Sequence, residues 1–338
     1  MSRLLILSAS DVHALLGYAD CADAMRTALV ALTRGQAQQP LRTVLKPQGA
    51  AGLVALMPSY LAAPAGDGSA GAAYGLKAIC ITPSNPAAGL DTHQGVVLLS
   101  DGSTGEPLAV LNASAVTEIR TAAVSVVATG LLARPDAAEL AVIGAGVQAR
   151  AHVLALDGAR QLSQIRVASR APERARELTA SLAGRTQAPL HAAGSVRDAV
   201  AGAGIIVTAT SSAEPVLARE WIAPGTHINA VGACLPHARE LDTGTMAAAA
   251  LFADRRDSLL TESGDYLLAA ADGAIGPGQI RADLGELLAG TGAGRAEAGE
   301  ITVFESLGLA VEDLAAAAQA YRKALGLGEA GPGTWIEF

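Results

Sequence analysis

The stretch Leu140-Ala141-Val142-Ile143-Gly144-Ala145-Gly146-Val147-Gln148-Ala149 is an apolar run that breaks into G-x-G-x-x-A and continues as a helical pattern to about Ala159. A buried strand, a glycine turn and a helix, in that order, make the phosphate-binding corner of a dinucleotide fold. Gly144 permits the tight turn, Gly146 lets the backbone approach a pyrophosphate, Ala149 allows close packing of helix on strand, and the helix N-terminus offers unpaired N–H groups to the anion. A glycine-rich turn without a ligand carries the same letters, so the context decides. Further strand-like runs follow at Gln164–Ala168, Ile205–Ala209, His227–Val231 and Ala249–Ala253, separated by helical stretches. That alternation predicts an α/β protein with a Rossmann-type, doubly wound parallel sheet.

Outside this block the pattern differs. Upstream, Ser10 is placed to cap a short helix, Cys21–Gln36 reads as helix, and short apolar runs stand at Leu41–Lys46, Leu53–Met57 and Tyr74–Ile81. Val96–Leu99 and Leu108–Leu111 flank the turn-rich Asp101–Pro107, as in a hairpin with a longer loop. Ala113–Leu132 reads as one long helix, apolar nearly all round beyond Arg120, and is expected to be buried between domains. Downstream, Gly273–Gly299 is glycine-rich loop with some helix, and Ile301–Glu305 leads into a helix over Leu307–Leu325 that should pack back on the first part of the chain. Residues 1–125 with 309–338 are therefore expected to form one α+β domain, interrupted by a dinucleotide domain over 126–308.

Composition narrows the function. The 338 residues are 51% hydrophobic but only 3% aromatic, so the core must be built from Ala, Val, Leu and Ile. A net charge of -8 and a pI near 5.3 give no basic footprint for nucleic acid. Met1–Leu7 has only four consecutive apolar residues, far short of a signal-peptide core, and no stretch reaches roughly 18 uncharged apolar residues, so no membrane is expected and the expected compartment is the cytoplasm. Cys21, Cys80 and Cys234 form no C-x-x-C and no zinc-ligand spacing, which leaves them as reduced thiols with no metal implied.

The end of the second strand selects the cofactor. An acid there would hold the ribose 2′-hydroxyl of NAD; this chain reads Ala168-Ser169-Arg170, and Arg170, with Ser169 and Arg174, suits the 2′-phosphate of NADP. Three cations stand where cations are costly. Lys77 lies on the strand face shared with Ile79 and Ile81, where it either meets an anion or guards a sheet edge. Arg120 opens the apolar stretch of the long helix, either gripping a carboxylate or facing solvent, and Arg42 alternates with Val44 and Lys46. Asp91 and His93, ahead of a strand, read as turn residues or ligands.

Asp91-Thr92-His93-Gln94-Gly95, then Arg120-Thr121-Ala122-Ala123-Val124-Ser125, then the Gly144 turn, then Thr302-Val303-Phe304-Glu305-Ser306-Leu307-Gly308-Leu309-Ala310-Val311-Glu312-Asp313 resemble, in order and spacing, the ornithine cyclodeaminase and mu-crystallin family. The resemblance implies a homodimer in which a discontinuous substrate-binding and dimerisation domain carries a Rossmann domain, and chemistry on small amino or imino acids with a nicotinamide cofactor. It places Arg42, Lys77 and Arg120 at the substrate carboxylate or reacting centre. It assigns Thr121, Gly144, Ala145, Gly146, Val147, Gln148, Ser169, Arg170, the Thr208-Ala209-Thr210-Ser211 strand end and Val231 to the cofactor, with Ser306 and Leu307 closing the nicotinamide pocket. Cyclodeaminases resemble V-G-G-D-C-P after the fourth strand; this chain has Val231-Gly232-Ala233-Cys234-Leu235-Pro236, then His237-Ala238-Arg239-Glu240-Leu241-Asp242, closer to the mu-crystallin branch. A thiol is a poor substitute for a carboxylate base. The expected activity is NADPH-dependent reduction of the C=N bond of a small 2-imino acid such as 1-pyrroline-2-carboxylate or 1-piperideine-2-carboxylate. The alternatives are an amino-acid or N-alkyl amino-acid dehydrogenase, an ornithine or lysine cyclodeaminase, and a non-enzymatic NADP-dependent binding protein.

Overall fold

In the computed structural model, which describes residues 3–63 and 71–338, the chain leaves one unit at Arg120 and returns to it at Leu309; the second unit is Thr121–Gly308. The first unit is a mixed sheet covered by helices. Its strands are β1 (Arg3–Leu7), β2 (Ala37–Gln38), β3 (Thr43–Leu45), β4 (Leu53–Leu61), β5 (Ala73–Ile81), β6 (His93–Asp101) and β7 (Pro107–Asn112). With the C-terminal strand Thr334–Glu337 at one edge, the order continues β1, β7, β6, β5, β4, β2, and β3 also pairs with β4. Only β1 with β7 runs parallel. Pro58 is tolerated inside β4 because β2 pairs with Tyr60 and Leu61 and β3 with Val54 to Leu56, so on that side the missing N–H falls in a gap of the ladder.

The period-2 alternation of β5 puts Gly75, Lys77 and Ile79 on its buried face, in register with Met57 and Ala55 of β4 and with Val97 and Leu99 of β6. The C-terminal helix Ala310–Leu327 lies on β4, β5 and β6 beside the helix Tyr18–Thr33. Gly75 is where that helix comes closest: a Cβ there would sit 2.9 Å from Leu314 Cδ1. The Asp101–Pro107 hairpin forms as expected, with Asp101 Oδ1 accepting from the amides of Ser103 and Thr104 at 2.8 Å and a register shift after Leu99.

The second unit carries β8 (Glu139–Ile143), β9 (Gln164–Ala168), β10 (Leu190–Ala192), β11 (Ile205–Thr208), β12 (His227–Ala230), β13 (Ala250–Ala253), β14 (Ile280–Asp283) and β15 (Thr302–Glu305). They form one parallel sheet ordered β10-β9-β8-β11-β12-β15-β13-β14, with an apolar core on each face. The order reverses between β8 and β11, which opens a crevice beyond their carboxyl ends.

Two local expectations are corrected. Ser8, not Ser10, caps the first helix, Ala9–Leu15, because its side chain accepts from Asp11 N while Asp11 returns a carboxylate to the Ser8 amide. Gly273–Gly299 is not loop with some helix alone: it includes the edge strand β14 as well as the helix Leu284–Ala289, and four residues are too few for a periodicity to show. The long helix spans Ala113–Leu132, its first turn capped by Asn112 Oδ1 accepting from Ala115 N at 2.9 Å. By length and composition it suits a membrane span, yet 72% of its most apolar window is buried in the protein.

Buried histidines in the second unit set an acid limit. His152 Nδ1 meets Gln148 O at 2.7 Å and its Nε2 meets Ser125 Oγ at 2.9 Å, while His227 lies between Thr302 Oγ1 and Asn229 Oδ1. Burial holds His152 down to about 4, and burial with Arg295 nearby holds His227 down to about 3. The unfolded chain takes up protons on both rings as pH falls through about 6.5 and the native chain does not, so the stability contributed by these rings is complete above that pH and lost below it. Each ring should contribute a slope of up to about 1.4 kcal/mol per pH unit between about 6.5 and 4. Raised carboxyls such as Asp265 titrate in the same range with the opposite sign, so the ring is isolated by difference: in urea unfolding, the slope of stability against pH for wild type should exceed that of His152→Gln by up to about 1.4 kcal/mol per pH unit between about 6.5 and 4; an unchanged slope would contradict the buried neutral ring.

Candidate functional site

In the first unit a buried ionic cluster forms around Lys77. Its Nζ lies 2.9 Å from Asp313 Oδ2 and 3.3 Å from Thr117 Oγ1. Arg120 directs Nε at Asp313 Oδ1, 3.1 Å away, and Nη1 at Glu312 Oε2, 2.9 Å away. No residue of this quartet is more than 5% exposed. The two cations come from the middle of β5 and the start of the long helix, and the two anions from the first turn of the C-terminal helix, where the helix dipole favours negative charge. That turn is itself fixed: Gln39 Oε1 accepts from Val311 N at 2.9 Å, Ser59 Oγ donates to Ala310 O at 3.1 Å, and Glu312 reaches back to the Leu309 amide.

The surroundings tune these groups. Burial is the main cause that lowers Lys77 to about 8, with Arg120 and Arg42 adding to it and Asp313 opposing it. Burial pushes the Glu312 carboxyl up and Arg120 pulls it back. His93 opens β6 opposite Ile81, on the Lys77 face, and is held below its ordinary value by burial and then by Lys77 and Arg120. Arg42 lies half-buried just before β3, not within it. Asp91 stays a loop residue that accepts from Ser114 Oγ at 3.1 Å.

In the second unit the dinucleotide corner is fully formed. Gly144 has φ +127°, and a Cβ there would fall 2.3 Å from Ala209 O, so only glycine fits where β8 and β11 part. The Gly144 amide donates to Ala168 O at 2.8 Å, which brings the turn to the end of β9, where Ser169 is half-buried and Arg170 and Arg174 are exposed. Gly146 is the N-cap of the helix Val147–Ala159, offers no side-chain cap, and faces open space on its Cβ side. Ala145, Val147 and Gln148 extend this rim, with Val147 half exposed. Thr208 is buried at the end of β11, followed by Ala209, Thr210 and Ser211; Val231 follows β12. Leu307 N and Gly308 N are held by Asp254 Oδ2 at 2.8 and 2.6 Å. The hydroxyls of Thr121 and Ser306 are buried and have no hydrogen-bond partner among the described residues. An uncapped helix N-terminus, an open glycine cradle and two orphaned hydroxyls fit a dinucleotide.

Sequence reasoning named Lys77 and Arg120 but not Glu312 and Asp313. The signal was present: two consecutive acids at the head of an alanine-rich helix that has to be buried on one side. Buried cations need buried anions, and no other acid pair in the last forty residues heads such a helix.

The model of the ornithine cyclodeaminase/mu-crystallin family matches residues 3–328. Ketimine reductase mu-crystallin of Mus musculus is 39% identical over 287 residues, 85% of either chain. The structure of Thermococcus litoralis Delta(1)-pyrroline-2-carboxylate reductase in complex with NADH and L-proline superposes with a TM-score of 0.91 at 37% identity, covering 98% of this chain and 99% of that one. An archaeal alanine dehydrogenase dimer with bound NAD gives 0.90 at 30% identity, with full coverage of both chains.

Removing one member of a buried ion cluster leaves its partners uncompensated. Asp313→Ala should therefore destabilise the protein by about 3–5 kcal/mol, read as a lower urea midpoint at unchanged slope, with a loss under about 1 kcal/mol showing the cluster to be solvated.

Proposed function

The chain belongs to the ornithine cyclodeaminase/mu-crystallin family, and we propose that it reduces the C=N bond of a small 2-imino acid, with 1-pyrroline-2-carboxylate and 1-piperideine-2-carboxylate as the model substrates, to the L-amino acid. The observation that carries this reading is a buried lysine poised near neutrality beside a buried arginine. Arg42 and Arg120 supply positive potential for the substrate carboxylate, and Lys77 orients the substrate and gives a proton toward the imine nitrogen, which makes C2 a better acceptor. A reduced nicotinamide, when bound, supplies the hydride that C2 takes up. Asp313 keeps enough positive charge on Lys77 for the amine to act as an acid at pH 7, and burial keeps it weak enough to give the proton away. The Gly144–Gln148 turn, Thr208–Ser211, Val231, Thr121 and Ser306 with Leu307 are the groups that would hold the cofactor.

Ammonia elimination is disfavoured by the Cys234 thiol. Its Sγ lies 3.3 Å from Val231 O and 3.5 Å from Ser306 O, a donor's setting and not that of a base. The preference for NADP over NAD rests on the absence of an acid after β9 and on the exposed Arg170 and Arg174, which suit a phosphate dianion.

The same reading includes a homodimer. The face of the first sheet opposite Lys77 presents Leu45, Leu56, Tyr74 and Val96, each at least 40% exposed, and an apolar sheet face of this size is best covered by a second copy. Sedimentation should give twice the chain mass, and Leu56→Lys with Val96→Lys should reduce it to one; a wild type that sediments as a single chain would refute the dimer.

Absorbance decay at 340 nm with either imino acid should be faster with NADPH than with NADH, and Arg170→Ala should narrow that difference by about tenfold. The rate should fall as pH rises through about 8, as Lys77 loses its proton. Lys77→Ala should abolish turnover and leave NADPH affinity nearly intact. No decay with either cofactor would refute the reductase reading.

A further inference from the structure

The segment Arg239-Glu240-Leu241-Asp242 takes no part in the chemistry above, yet Glu240 is fully buried. Both of its carboxylate oxygens accept backbone amides: Oε1 from Thr210, just past the end of β11, at 2.6 Å, and Oε2 from Gly232, just past the end of β12, at 2.7 Å. These two peptides have left the sheet ladder and have no strand partner to fix them. The fit is close enough to exclude any side chain at Gly232, whose Cβ would fall 2.1 Å from Thr210 O and 2.6 Å from Glu240 Cδ. The rest of the segment serves the same loop. Asp265 Oδ1 accepts the amides of Glu240 and Leu241, each at 2.8 Å, and Asp242 caps the helix Thr243–Ala248 through Thr245 N.

We propose that Glu240 is a positioning residue for the dinucleotide: its ionised carboxylate clamps the carboxyl ends of β11 and β12 at a fixed separation, so that Thr208–Ser211 and Val231–Cys234 meet the cofactor already in place. The proposal rests on the nicotinamide reading above. Stability alone does not call for this residue, since a buried carboxylate is expensive and an apolar side chain of similar volume serves a core at least as well. What the carboxylate does that an apolar group cannot is accept two N–H groups at once, and only the ionised form does so, because a protonated carboxyl turns one acceptor into a donor. Burial pushes the Glu240 carboxyl up, and the bonds it accepts from Thr210 and Gly232 pull it back toward the ionised form. Asp265 and Glu305 are themselves pushed up, by burial first and then by the charges of this cluster, Glu240 included. On the same end of the sheet, Ser306 is 2% exposed and its hydroxyl has no hydrogen-bond partner among the described residues, a donor suited to a ligand at the place the clamp holds.

The test compares wild type with Glu240→Gln, which keeps the volume and loses one acceptor, and with Glu240→Asp, which keeps the charge and loses the reach. NADPH binding by fluorescence at pH 7 should weaken about tenfold in both variants. In steady state the KM for cofactor should rise by the same factor, while kcat at saturating cofactor and the KM for the imino acid stay within about threefold. Variants with a lower melting temperature but unchanged cofactor affinity would overturn the proposal and leave the reductase reading standing. A wild type that binds neither NADPH nor NADH would overturn both.

Discussion

The first unit depends on burying two positive charges against two negative ones that lie more than 190 residues away in sequence. Lys77 and Arg120 sit on elements in the first part of the chain, and neither can be buried there alone, because an unpaired buried charge costs several kcal/mol. Glu312 and Asp313 follow the whole parallel sheet in sequence, on an alanine-rich helix that packs on β4, β5 and β6. The unit is discontinuous in sequence, and the returning helix covers its apolar sheet face and meets its cations with its first turn. The stabilising work is done by the apolar residues, since Met57, Ile79, Val97 and Leu99 contribute roughly 1.5–3 kcal/mol each when buried. The ion cluster contributes arrangement: it fixes the depth and rotation of the C-terminal helix and holds a lysine amine at a proton affinity that chemistry at neutral pH can use.

The second unit solves a different problem with the same economy of aromatic residues. Its central strands are buried on both faces and are rich in Val, Ile, Leu and Ala. The buried polar residues inside strands are bonded, as Asn229 is to Thr129 and His227. At the carboxyl ends, single carboxylates hold the peptides that leave the ladder: Glu240 for β11 and β12, and Asp254 for the amides after β15. The glycine turn after β8 needs no such support, because φ +127° and the carbonyl of Ala209 already determine it.

The sequence made most of this legible wherever a pattern was long or chemically unusual. Glu139–Ile143, Gln164–Ala168 and Ala113–Leu132 were read to the residue, and the remaining strands of the parallel sheet that were named were found within one residue of their ends. What escaped was short or dependent on distant partners. β10 and β14 have three and four residues, too few for a period, and β1 looked like the start of a chain, not a strand, until its parallel partner β7 was known. Ser8 and Ser10 are equivalent as letters, and only the reciprocal bond from Asp11 separates them. In the site, costly cations were visible because a lysine in an apolar strand breaks its pattern, whereas Glu312 and Asp313 sat in a motif that looked like an ordinary acidic helix start.

The family's fold alone does not fix the reaction. The dinucleotide corner is built mainly from backbone, glycine and small side chains. In the proposed reading, the choice between reduction and elimination falls on a few side chains: Lys77, the arginines around it, and the residue at position 234. The cyclodeaminases that this chain resembles carry a carboxylate there, whereas the Cys234 thiol lies 3.3 Å from Val231 O and 3.5 Å from Ser306 O and offers no base of that kind. Reduction asks for less. It needs a carboxylate held in place, an imine nitrogen given one proton and a hydride delivered to the adjacent carbon, and of these only the proton demands a titrating side chain. In the proposed reaction Lys77, buried and lowered to about 8, is the group that supplies it, and no second acid or base is asked of position 234.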